Sequence, residues 1–223
     1  MIDTCISFIC KEDLSKSNKY TTLVKINIEF WSKYYPTYVL SNNIDEFKEL
    51  KCDVIYDDTY FSQFNKFDLI DKLQKKYKKV IYLDCDNLFH DFNINLEGIT
   101  EGIHSYGDWA YKWGDIKKLD YFKIWEKVIN VEDDIFFPQE TVFILNTNNK
   151  WDKTYEELKS LRKISNKTEI ESISDENPHH GVERCEAIGI YIACQTSGMQ
   201  LHLNSDYVKQ FYDAIKFKSK NKK

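Results

Sequence analysis

In the first ninety residues, short unbroken apolar runs alternate with longer amphipathic stretches. Thr4–Cys10 (TCISFIC), Thr37–Leu40, Asp53–Tyr56 and Val80–Leu83 have the length and β-branched or aromatic content of strands. Between them, Leu14–Lys33 carries Leu23, Ile26, Phe30 and Trp31 at helical spacing, and Ile44–Leu50 reads as a short helix. The stretch from Phe67 repeats apolar residues at Phe67, Ile70, Leu73 and Tyr77, the stripe of a helix with one buried face. Strand and helix in regular alternation predict βαβ units and an α/β fold with a mostly parallel central sheet flanked by helices.

The second half is less regular. Glu97–Trp113 holds Gly98, Gly102 and Gly107 and reads as short strands and loops. Lys117–Asn130 has a helical stripe, Thr141–Leu145 (TVFIL) is a buried strand, and Trp151–Ile164 is an amphipathic helix. Ser165–Gly181 is polar and contains Pro178, which predicts a long mobile loop of the kind that serves as a lid. Glu183–Cys194 reads as a helix, Met199–Leu203 as a strand and Tyr207–Phe217 as a last helix, before a basic, frayed tail at 216–223. No repeat or linker interrupts the chain. The expectation is a single domain over 1–223, with halves at 1–90 and 91–215.

One run changes the picture. Val80–Leu83 is wholly apolar, and Asp84-Cys85-Asp86 follows at once. Side chains two residues apart on an extended segment point the same way. Paired carboxylates at the carboxyl end of a parallel strand suit a hard divalent cation, and that edge of an open α/β sheet is where ligands bind. The ends of the other strands, Phe8, Ile9, Cys10 and Lys11, then Asn42, then Asp57, frame the same edge. A carboxylate at Asp57 is placed to accept a ring N–H from a base, although Asn42 and Asp57 also suit ordinary turns.

Composition narrows the class. The chain has 223 residues, 42% hydrophobic and 15% aromatic, enough to bury a sizeable core. A net charge of −5 disfavours general nucleic-acid binding. The six cysteines form no C-x-x-C pair and sit mostly in apolar runs, which fits reduced thiols and a cytoplasmic location. No secretory leader and no membrane-spanning run is legible.

The segment from Lys66 to Phe89, helix then strand then carboxylate pair then apolar anchor, resembles the core of GT-A-fold glycosyltransferases. The resemblance is dense over about 25 residues. It implies a GT-A-like (Rossmann-like) fold in which 1–90 binds the nucleotide and 91–215 faces the acceptor. It also implies a nucleoside diphosphate sugar as donor, a glycan-type acceptor, and Mn²⁺ or Mg²⁺ held by Asp84 and Asp86, with Asp84 also reaching the sugar or ribose. Lys66 stands where that superfamily commonly has a basic residue near the nucleotide. His202 stands where retaining members have a metal-binding histidine in a pattern like H-x-x-G-x-x-K-P-W. Here Ser205 replaces the glycine and Lys209 comes one place late. His179-His180 is a second option for that ligand.

On the acceptor side, Glu140, Glu183 and Glu186 are candidates for a general base. Asp108, beside Trp109, is placed to hold a sugar hydroxyl while the indole stacks on the ring. Two other readings keep the carboxylate pair. In a haloacid-dehalogenase-like phosphatase, Asp84 is the nucleophile, Asp86 the general acid and Asp133-Asp134 a late acidic pair. That motif normally sits on the first strand, whereas about 80 residues precede it here. In a catalytically inactive binder, the fold holds a sugar nucleotide without turnover.

Overall fold

The computed structural model describes residues 3–11, 19–59, 64–89, 94–109, 137–172 and 179–218. The strands are β1 (Thr4–Ile9), β2 (Thr37–Ser41), β3 (Asp53–Tyr56), β4 (Lys79–Leu83), β5 (Asn87–Phe89), β6 (Gly102–Trp109), β7 (Phe137–Asn146), β8 (Leu201–Leu203) and β9 (Ile215–Lys218). The helices are α1 (Lys19–Trp31), α2 (Asn65–Gln74), α3 (Trp151–Ser172), α4 (His179–Ser197) and α5 (Asp206–Asp213).

Seven strands form one sheet in the order β3-β2-β1-β4-β7-β6-β8. β3, β2, β1 and β4 are parallel. β7 runs antiparallel to both β4 and β6, and β8 is parallel to β6. The sheet is therefore mixed but mostly parallel, as the alternating pattern predicted.

Successive residues of the central strands feed opposite cores, as a pleated strand requires. Cys5, Ile9, Val80, Tyr82, Phe143 and Leu145 pack with α2, α3 and α4 through Phe67, Leu73, Trp151, Leu158 and Ile190. Ile6, Phe8, Ile81, Leu83, Val142 and Ile144 pack on the other face with Val24, Ile28 and Trp31 of α1 and Val208 and Phe211 of α5. Burial on both faces explains why these strands read as continuous apolar runs.

Polar ties fasten α2 to α3. The Asp68 carboxylate accepts from the Tyr155 hydroxyl at 2.8 Å and from the Arg162 guanidinium at 2.7 Å. The Trp151 indole donates to Asp71 at 3.0 Å. At the start of β6, Gly102 has φ +126°, and a Cβ there would lie 2.6 Å from the Gln200 carbonyl, so the approach of β8 requires glycine.

Four expectations are corrected. Residues 44–50 form turns, with Phe47 N–H bonded to Ile44 and Leu50 N–H to Phe47, each spanning three residues. Residues 165–172 continue α3, and 179–181 already belong to α4. No proline or glycine interrupts Trp151–Ser172, and extending a formed helix is cheap, so polarity alone did not make a loop; residues 173–178 lie outside the described ones. Among the described residues of Glu97–Trp113 there is a single eight-residue strand, β6, where short strands were expected. The last helix stops at Asp213, and Ile215–Lys218 forms β9 against β5, so the segment read as helix end and frayed tail is a strand. The helix expected at Lys117–Asn130 and the tail beyond Lys218 lie outside the described residues.

Removing one partner of the α2–α3 cluster leaves the others unsatisfied. Asp68→Ala should lower stability by about 1–3 kcal/mol in urea denaturation. Lys48→Ala, which breaks an exposed pair with Asp45 away from this cluster, should stay within about 0.5 kcal/mol of the parent.

Candidate functional site

β4 is held by β1 on one side and β7 on the other, and its apolar residues Val80–Leu83 are buried. The Asp84 amide still bonds the Thr141 carbonyl at 3.0 Å, so the ladder reaches the first carboxylate before the chain turns. Asp84, Cys85 and Asp86 are half-buried. The register aligns Ile9 with Leu40 and Leu40 with Ile55, and places Ser7 beside Tyr82. It sets Asp84 level with Ile9, Leu40 and Ile55, and, continued past the ladders of β1, β2 and β3, it brings Lys11, Asn42 and Asp57 to one height along the carboxyl edge. That is the edge where the open-sheet rule places ligands.

The neighbours of the pair come from three elements. Asn87, which opens β5, donates its amide to Asp86 Oδ1 at 2.9 Å. Asn27 of α1 donates to the Asn87 carbonyl at 2.7 Å. Tyr20, in the first turn of α1, has its phenol pushed above the ordinary tyrosine range, first by burial and then by Cys85, Asp86 and Asp84. The Cys85 thiol is pushed well up by burial and by the two flanking carboxylates. Cys10, at the end of β1, lies near enough to Cys85 to add to that effect.

Lys11 is fully buried and donates to the Thr59 carbonyl at 2.7 Å and hydroxyl at 3.0 Å, with Asp57 Oδ1 at 3.2 Å. The same oxygen accepts from the Thr59 amide at 2.9 Å and hydroxyl at 2.6 Å. Burial pushes the Asp57 carboxyl up, but these hydrogen bonds and Lys11 outweigh it, and the group sits below the ordinary aspartate range. Asp57 thus holds a turn and a buried ammonium together at the site's edge. Lys66 is buried, its ammonium 4.9 Å from the centroid of the Tyr82 ring, two residues before Asp84. Phe8 and Ile9 are buried at the end of β1, and Asn42 is half-buried at the end of β2.

His202 is not brought to the pair. It pairs with His104, which pairs with Ile144, which pairs with Ile81. It therefore lies level with the middle of β4, three strands and roughly 14 Å across the sheet from it. Its ring stacks on His104 with centroids 4.4 Å apart, and its Nε2 lies 3.2 Å from the Glu101 carbonyl. Among the described residues no group of three or more His, Cys, Asp or Glu is arranged to hold a metal ion.

For the acceptor-side candidates only backbone positions are described. α3 leaves the lower end of β7, and α4 ends where Thr154 bonds Ser197 near the start of α3. Glu183 and Glu186, in the first turns of α4, are thereby carried to the carboxylate edge, and Asp108 and Glu140 lie on the upper parts of β6 and β7. The side chains of Asp108, Glu140, Glu183, Glu186, His179 and His180 lie outside the described ones, as do residues Asp133 and Asp134. A cavity of about 520 Å³ lined by Tyr34, Tyr35, Leu50 and Cys52 opens at the amino ends of β2 and β3, the opposite edge of the sheet.

Sequence reasoning passed over Tyr20, Asn27 and Asn87. Asn27 carried a signal, because it sits within the apolar stripe of Val24, Ile28 and Trp31. A polar residue there is buried by construction and needs a partner.

No protein-family model and no curated protein matches the chain. Solved structures do. The bifunctional glycosyltransferase WbbM matches with a TM-score of 0.50 and 11% identity, over 97% of this chain and 42% of that one. The glycosyltransferase GlyE of Streptococcus pneumoniae TIGR4 matches with a TM-score of 0.45 and 13% identity, over 92% and 46% of the two chains. Its apo form gives 0.47 and 13%, over 89% and 44%. The chain spans less than half the length of each of these. Its α/β fold is one that glycosyltransferases use. Among the described residues no helix is long and apolar enough to cross a membrane.

The histidine pair makes a separate prediction. His104 is buried, donates from Nε2 to the Thr100 carbonyl at 2.9 Å and has its Nδ1 3.1 Å from the Ser205 hydroxyl. Burial, with His202 beside it, holds its pKa below the ordinary histidine value. The unfolded chain therefore binds a proton more readily. The stability that neutral His104 contributes is complete above about pH 6.5 and is lost as the pH falls below it. Urea midpoints measured from pH 7.5 to 5 should fall, and His104→Gln should flatten that dependence.

Proposed function

We propose that this chain is a metal-dependent glycosyltransferase that moves a sugar from a nucleoside diphosphate sugar to a hydroxyl of a glycan-type acceptor. One observation carries the reading: the register sets Asp84 at the carboxyl end of a doubly buried central strand, level with the ends of β1, β2 and β3, and Asp86 follows in the turn directly after it. The fold that the chain shares with WbbM supports it.

Asp84 and Asp86 fit a small hard cation. Mg²⁺ and Mn²⁺ are commonly held by one or two carboxylates, with water and substrate phosphate oxygens completing the shell, so a third protein ligand is not required. The buried Asn87 amide on Asp86 is the kind of outer contact that orients a ligating carboxylate. Bound there, the cation supplies neutralisation of the charge on the departing diphosphate.

The chain's own residues do the rest. The strand ends at Phe8, Ile9, Cys10, Asn42 and the Asp57–Thr59 turn form the floor on which the nucleoside lies. Lys11 and Lys66 add buried positive charge to that edge. Asp84 reaches the ribose or the donor sugar. Asp108 holds a sugar hydroxyl, and Glu183 or Glu186 takes the proton of the attacking acceptor hydroxyl.

Asp86→Ala tests this reading. The side chain sits past the end of the strand, outside both cores, but it accepts from the buried Asn87 amide, so the variant should still fold cooperatively with a thermal midpoint lower by roughly 2–12 °C. Calorimetric titration with nucleoside diphosphate in Mn²⁺ should show binding to the parent and none to the variant. Equal binding by both would remove the carboxylate pair from the site.

A further inference from the structure

Asn27 and Asn87 are each 1% exposed, deeper than the carboxylates they serve. Their amide orientations are fixed by chemistry. Asn87 Nδ2 faces the Asp86 carboxylate at 2.9 Å, and Asn27 Nδ2 faces the Asn87 carbonyl at 2.7 Å, both acceptors only. That leaves Asn87 Oδ1 and Asn27 Oδ1 buried with no hydrogen-bond partner among the described residues. A half-satisfied buried amide is destabilising, and a leucine would fill nearly the same space without that penalty. Packing therefore does not account for either asparagine, whereas the donor that each presents does.

We infer that Asn27 and Asn87 form a relay of two buried amides that positions Asp86 for its ligand. Asn87 fixes the rotamer of the Asp86 carboxylate by donating to Oδ1. Asn27 pins the Asn87 backbone from α1, where the chain turns out of the carboxylate pair into β5. The other side of that short strand is pinned by β9, with Asn87 opposite Lys218. Neither asparagine touches substrate; both are positioning residues. The inference rests on the proposed metal-dependent reading of the Asp84–Asp86 site and deepens it.

The structure itself supplies the control. Asp3 precedes β1 as Asp86 precedes β5, and the following Thr4 donates its hydroxyl to the Asp3 carboxylate at 2.9 Å. A threonine directly after an aspartate at a strand start can thus make the contact that Asn87 makes. Asn87→Thr and Asn87→Val have the same shape and differ only in that donor. The probe is Mn²⁺, titrated by electron paramagnetic resonance of the free ion in the presence of whichever of ADP, GDP, UDP or CDP binds the parent most tightly. Thermal midpoints are read alongside.

Asn87→Val and Asn27→Leu should bind Mn²⁺ roughly tenfold or more weakly than the parent, and Asn87→Thr should recover much of the loss. The Thr and Val variants should melt within a few degrees of each other, so a purely structural role would not separate their affinities. If Asp86→Ala abolishes Mn²⁺ binding while Asn87→Val, Asn87→Thr and Asn27→Leu all bind as the parent does, the relay is wrong and the metal reading stands. If Asn87→Val and Asn87→Thr lose affinity equally, the donor plays no part and the relay is also wrong. If Asp86→Ala binds Mn²⁺ as the parent does, the metal reading and the relay fall together.

Discussion

The rest of the structure depends on the burial of β4 on both faces. Val80, Ile81 and Leu83 are completely covered, by α2 and α3 on one side and by α1 and α5 on the other, with Tyr82 nearly so. Such a strand cannot shift its register by one residue without turning every side chain to the wrong core. Its carboxyl end is consequently fixed, and whatever follows Leu83 is presented at a defined point of the sheet edge. The chain places two acids there. The cost of holding them together is met locally by the Asn87 amide and by the partial exposure of both carboxylates.

The same constraint organises the neighbours. β1 is as deeply buried as β4, so Lys11 leaves its end already inside the protein and needs Asp57 and Thr59 as partners. α1 packs on the face that carries Ile81 and Leu83 and brings Asn27 to the Asn87 carbonyl, next to the pair. The site edge is thus built from the ends of elements whose middles are immobilised by packing. Groups that must keep one geometry are best placed in this way.

The four parallel strands and the stripe of α2 were legible in the chain because each obeys one periodicity over its whole length. The carboxylate pair was legible because polarity changes abruptly at Asp84. What failed lacked such signals or carried misleading ones. Residues 165–172 are polar yet helical, since a solvent-facing turn of helix needs only the absence of breakers. β5 is three residues long, too short to show a period. β9 did carry one, Ile215-Lys216-Phe217-Lys218 alternating apolar and basic, but it directly follows a helix with its own apolar stripe. His202 was assigned by a linear motif, and the register shows that a histidine at that distance along the chain lies mid-sheet beside His104. Asn87 and Asn27 are sixty residues apart, and no local pattern announces that they meet.

The claim that matters most is that the carboxylate edge of this sheet is a metal-dependent nucleotide-sugar site. The most direct measurement is the thermal midpoint of the intact chain against a panel of nucleoside diphosphate sugars, each with and without Mn²⁺. Binding to the folded state alone raises the midpoint in proportion to occupancy. The account predicts a clear rise with one donor or a narrow set sharing a base, and only when Mn²⁺ is present. No rise with any donor, or the same rise with and without Mn²⁺, would contradict it.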